Sequence, residues 1–120
     1  MGKPVVHFEV IGRDAPKLQK FYGTLFDWNV DTSNPGGYGT ITPESAGMNG
    51  GIGGGGGNPQ DASYGVTFYV QVADLKATLD KAEKLGGKTL MPPTEIPGTG
   101  GVTLAAFSDP EGNRIGLTKG

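Results

Sequence analysis

Val5–Trp28 reads VVHFEVIGRDAPKLQKFYGTLFDW, and sixty residues further on VTFYVQVADLKATLDKAEKLGGK follows the same plan. Val6 meets Val66, Phe8 meets Phe68, Val10 meets Val70, Asp14 meets Asp74 and Leu25 meets Leu85. Each copy alternates apolar and polar residues and then changes to helical spacing, so each predicts a strand followed by a helix. An internal repeat of this length decides the fold before any single residue does. At one pair of aligned positions the chemistry differs: His7 stands where the second copy has Thr67.

Val6, Phe8 and Val10 share one strand face, and Val5, His7, Glu9 and Ile11 share the other. The Phe8 face is expected to lie under the helix. Asp14 is a suitable N-cap, with Pro16 tolerated in the first turn. Leu18, Phe21, Tyr22 and Leu25 recur as a helical stripe, and with Phe26 and Trp28 they are expected to be core or dimer packing. SNPGG (33–37) marks a turn and Tyr38–Thr42 a short strand. The glycine run 47–57 formally contains G-x-G-x-x-G at Gly51, Gly53 and Gly56. Asn58-Pro59 follows and opens no helix, so it reads instead as a strand end entering a flexible linker.

In the second copy Asp74 caps a helix whose buried stripe is expected to be Leu75, Leu79, Ala82 and Leu85. Gly86-Gly87 ends it. Lys88–Met91 reads as a strand stopped by Pro92-Pro93. Val102–Phe107 and Asn113–Thr118 are two further strands joined by the DPEG turn. The expected organisation is one domain, with module one at about 4–56, a linker at about 57–63 and module two at about 64–120.

The chain has 120 residues, a net charge of −2, no cysteine and no block of like charge. That balance argues against nucleic-acid and anionic-membrane partners, and the absence of thiols removes disulfide and thiol chemistry. No apolar run nears the roughly 20 residues of a membrane span. The N-terminus has no signal-peptide pattern, so a cytoplasmic location is expected.

Three stretches, VHFEVIGRDAPKLQKFYGTLFDW, FYVQVADLKATLDKAEKLGGK and FSDPEGNRIGLTK, together resemble the vicinal oxygen chelate superfamily of glyoxalase I, bleomycin-resistance proteins and extradiol dioxygenases. The resemblance implies an α+β fold of two paired βαβββ modules, with curled mixed sheets around a cavity, and a homodimer. It also implies a divalent metal, held from one early position in the first strand and one in the last strand of each module. Those positions hold His7, Gly53, Thr67 and Gly116. Glycine brings no ligand and a threonine hydroxyl is a poor one, so the resemblance supports the fold and disfavours the metal.

With the helices behind the sheets, His7, Glu9, Thr67, Tyr69, Gln71, Arg114 and Thr118 are expected on the open faces. Tyr38 and Phe107, with Tyr64, Met48 and Met91, are expected as apolar wall. Two functions follow. One is metal-independent binding of a small organic molecule, with His7, Glu9, Thr67, Tyr69, Gln71, Arg114, Tyr38 and Phe107 as contacts. The other is a divergent enzyme of lyase, isomerase or dioxygenase-like type in which His7 and Glu9 act as acid and base. A metal enzyme with an altered site is a weaker third reading, since fold does not establish function.

Overall fold

The computed structural model describes residues 2–54 and 64–119, so the expected linker lies outside the described residues. The chain forms two compact units, residues 6–67 and residues 1–5 with 68–120. The elements are β1 (Val5–Gly12), α1 (Ala15–Phe26), β2 (Gly39–Ile41), α2 (Pro43–Ala46), β3 (Gly50–Gly54), β4 (Gly65–Val72), α3 (Leu75–Lys84), β5 (Lys88–Glu95), β6 (Thr103–Ser108) and β7 (Arg114–Lys119), with a 3-10 turn at Pro35–Gly37. This is an α+β fold with mixed strand pairing.

In the first unit β3 lies between its neighbours, parallel to β1 and antiparallel to β2. The expected third strand after α1 is reduced among the described residues to one bridge, Asp31 to Thr40. Asp14 caps α1 by accepting from the Lys17 N–H. Of the stripe expected in a core or a dimer interface, Phe21, Leu25 and Phe26 are each more than half exposed in the chain. The buried helix residue is Gln19, whose amide donates to the carbonyls of Ile52 (2.8 Å) and Gly37 (2.9 Å). The half-buried Trp28 gathers the aromatic side chains, with ring centroids 5.5 Å from Phe8 and 5.0 Å from Phe26. Phe8 thus lies on the α1 side, as its alternation requires.

In the second unit the strand order is β4-β7-β6-β5, with β4 parallel to β7 and the other pairs antiparallel. Asp74 caps α3 through the Ala77 N–H. Leu75 and Leu79 pack with Val72, Ala105 and Leu117, and Val70 and Phe107 lie against that cluster. Burying one such leucine is worth about 1.5–3 kcal/mol. Leu85, expected in the same stripe, is 71% exposed, because it caps the helix end instead of facing the sheet. β5 does not stop at Pro92-Pro93 but runs to Glu95 with two register shifts. Proline has no ladder donor and is tolerated there because β5 pairs only with β6.

Candidate functional site

The alternation of β1 puts His7 and Glu9 on the face away from α1. Register carries that face onto β3, where Glu9 pairs with Gly51 and Ile11 with Gly53. Tyr38, immediately before β2, lies across it. Its hydroxyl donates to Glu9 Oε2 at 2.9 Å and lies 3.1 Å from His7 Nε2. A phenol has one hydrogen, and Glu9 takes it, so the His7 Nε2–H donates to the phenol oxygen. Burial holds the imidazole below its ordinary pKa, and the charge of Glu9 opposes that shift without reversing it. The result is a neutral imidazole, a phenol and a carboxylate joined in one hydrogen-bonded chain.

Glycine makes the chain possible. A Cβ on Gly51 would overlap the Tyr38 phenol, and one on Gly53 would stand 2.7 Å from its ring. The sequence alone marks Tyr38 as apolar wall and ligand contact; in the structure its hydroxyl is the link between His7 and Glu9. The signal that points to it is the alternation of glycines in a strand, which marks close approach of another group.

The second unit repeats the device. Tyr69, buried in β4, pairs in register with Gly116, and its ring occupies the space a Cβ there would need. Arg114 and Thr118 alternate with Gly116 and share its face. Gln71 pairs with Thr118 on the same face and is exposed. Thr67 is buried in β4. Phe107 parts from this set: it lies on the opposite side of the sheet, against the α3 cluster. There it borders a shallow apolar hollow lined also by Ala82, Leu85 and Pro110. So the structure brings His7, Glu9 and Tyr38 together, sets Tyr69, Gln71 and Arg114 on one face, and turns Phe107 away.

The metal implied by the resemblance does not fit these residues. A ligand at position 53 or 116 would need the volume that Tyr38 or Tyr69 fills. His7 is already bonded to a phenol, and threonine is a weak donor to a divalent ion.

A family model described as the Glyoxalase/Bleomycin resistance protein/Dioxygenase superfamily matches residues 5–117. The chain is 32% identical over 110 residues to a protein named "Putative glyoxylase CFP32" in Mycobacterium bovis and to its namesake in Mycobacterium tuberculosis. The match covers 87% of this chain and 41% of each of those proteins, so the chain spans less than half of their length. A superfamily member from Vibrio splendidus shares the fold at TM-score 0.67 and 16% identity, covering 99% of this chain and all of that one. Methylmalonyl-CoA epimerase from Mycobacterium tuberculosis does so at TM-score 0.60 and 15% identity, covering 96% and 86%. At these identities the likenesses show the fold alone. The extent of the family match decides membership: this chain belongs to the glyoxalase/bleomycin resistance protein/dioxygenase superfamily.

Proposed function

We propose that this chain binds a small organic molecule against the polar face of β1 and β3, without the family's divalent metal. The observation that supports this best is the Tyr38 ring lying over Gly51 and Gly53, where a carboxylate ligand would otherwise stand. Tyr38, His7 and Glu9 offer a phenol, an imidazole and a carboxylate as polar anchors, the arrangement of few polar groups that orients a ligand in a pocket. Curling of the sheets around a cavity, two paired modules within one domain and assembly as a homodimer belong to the same proposal. For the dimer, the half-exposed Phe21, Leu25 and Phe26 of α1 are the apolar face to test by sedimentation.

The decisive experiment is calorimetric titration of chelator-treated protein with Ni²⁺, Zn²⁺, Mn²⁺ and Fe²⁺, with His7→Ala as control. No specific heat is expected. Tight binding at one site per chain, lost in His7→Ala, overturns the reading and restores the metal-dependent reactions of the family.

One observation favours a second reading. The hydrogen-bonded order His7, Tyr38, Glu9 is a path along which a proton can be held and passed, and a neutral imidazole near pH 7 suits acid–base work. On this reading the chain is a divergent enzyme of lyase or isomerase type. His7→Ala then abolishes turnover while ligand affinity survives; equal turnover in that variant sinks it.

A further inference from the structure

Tyr38 has glycine on both sides, Gly36 and Gly37 before it and Gly39 after it. Gly36 and Gly37 both take positive φ, 73° and 76°. Glycine has almost no backbone preference of its own, so these residues let the chain turn without deciding where it stops. Yet the phenol arrives at one place, over Gly51 and Gly53 and within reach of His7 and Glu9. Something else fixes the direction in which Tyr38 leaves the backbone.

That direction is set by the peptide planes on either side of its Cα. The plane before carries the Gly37 carbonyl, and the plane after carries the Tyr38 carbonyl. A side-chain amide holds each of them. Gln19 Nε2 donates to Gly37 O at 2.9 Å and to Ile52 O at 2.8 Å, which uses both of its hydrogens. It thereby ties the entry to Tyr38 to the β3 residue that stands between Gly51 and Gly53. Asn34 Nδ2 donates to Tyr38 O and to Asp31 O, each at 2.9 Å, and to Thr40 Oγ1 at 3.2 Å. The backbones of Asp31 and Thr40 exchange two hydrogen bonds of 2.9 Å, so Asn34 anchors Tyr38 inside a closed loop. Between the two amides Tyr38 rests at φ −65°, ψ 128°.

The repeat shows that the first of these amides is particular to its unit. Sixty residues after Gln19 stands Leu79, buried in the aliphatic cluster of α3. An amide in that core position is costly unless its hydrogen bonds are made, and in the first unit they are made to the Tyr38 loop and to β3.

We propose that Gln19 and Asn34 are positioning residues of the candidate site: together they fix the backbone of Tyr38, so that its phenol stands between His7 and Glu9 before any ligand arrives. The inference rests on the small-molecule reading above, in which Tyr38 is a polar anchor. A side chain ordered by folding does not have to be ordered by binding, so a preset phenol favours association.

The test is nuclear magnetic resonance of the isotope-labelled chain without ligand. The ring current of Tyr38 displaces the Hα resonances of Gly51 and Gly53, and Tyr38→Leu gives their positions without the ring. Asn34→Ala and Gln19→Leu are each expected to lose most of that displacement. Ser33→Ala, which removes the 2.7 Å bond from Ser33 Oγ to Asp31 in the same loop, is expected to keep it. A change that only lowers stability moves the urea midpoint and leaves the resonances of the folded chain in place, so this readout separates positioning from stability. Asn34→Ala, at a half-buried loop position, carries the test should Gln19→Leu fail to fold. Full displacement in folded Asn34→Ala or Gln19→Leu, or an equal loss in Ser33→Ala, overturns the assignment. The resonances are read with neither ligand nor metal present, so that failure leaves small-molecule binding standing, and the metal titration tests the earlier reading separately.

Discussion

The two units run the same strand and helix in the same order and bury them with different chemistry. In the second unit α3 sets Leu75 and Leu79 against Val72, Ala105 and Leu117, a compact aliphatic cluster. In the first unit α1 buries the amide of Gln19, leaves Phe21, Leu25 and Phe26 half out, and faces a strand reading GGIGG. Glycine supplies almost no apolar area, so what β3 adds to a core is the fully buried Ile52. What glycine supplies is room, which the Tyr38 phenol uses to reach His7 and Glu9. A repeat therefore preserves the path of the chain more faithfully than its packing. The half whose middle strand is mostly glycine is the half with the candidate acid–base chain.

That contrast breaks most visibly if one leucine of each helix is shortened. Leu79→Ala is expected to cost about 2–5 kcal/mol in urea unfolding, the range for a buried leucine whose cavity does not collapse. Leu25→Ala, at a position 58% exposed, is expected to cost less than about 1 kcal/mol. Equal losses would mean that Leu25 is packed more tightly than its exposure indicates.

The tyrosine–glycine pairs sharpen the comparison. Gly116→Ala forces a methyl into the ring of Tyr69, which is 5% exposed and has nowhere to swing, so about 1–3 kcal/mol of overpacking is expected. Gly51→Ala meets the far end of Tyr38, which is only half-buried and can turn outward. Its expected signature is a smaller loss of stability and a larger loss of ligand binding, since turning Tyr38 breaks its bonds to His7 and Glu9. Near-equal effects on stability with binding intact would show that the phenol does not anchor the ligand.

Gln19→Leu tests how far an amide replaces a core. It leaves the carbonyls of Ile52 and Gly37 without that donor and is expected to cost about 1 kcal/mol, read as a lower urea midpoint. A stabilised variant would show that the first unit prefers an aliphatic contact at that position.

These residues also mark how far the sequence could be read. Period-two alternation and aspartate caps are local, so β1, α1, β4 and α3 are legible along the chain, and the side of the sheet that His7 and Glu9 occupy follows from Phe8. Gln19 and Tyr38 are not legible. Their roles depend on β3, ten or more residues away, and on backbone approach that a glycine run permits without naming the group that comes close. Leu85 misleads for a related reason: helical spacing continues through it, but the chain turns at Gly86, and the side chain leaves the sheet. Phe107 is missed by one step of alternation, since which face a strand residue occupies depends on the register of its neighbours.

The smallest expected effect is also the most selective for one unit. His7 is the single histidine of the chain, so any titration of an imidazole reports the first unit. Burial lowers its folded pKa below the ordinary 6.5 that holds in the unfolded chain. Above pH 6.5 the imidazole is neutral in both states and costs nothing. As pH falls below that value the unfolded chain takes up the proton first, and stability declines until the folded pKa is reached. The urea midpoint of the native chain is therefore expected to fall between pH 6.5 and that lower value relative to His7→Gln, which cannot titrate there. Glu9→Gln removes the charge that opposes the shift, so the decline should extend to lower pH. A decline shared equally by His7→Gln would place its origin outside the His7–Tyr38–Glu9 chain, and the contrast between the units would then rest on packing alone.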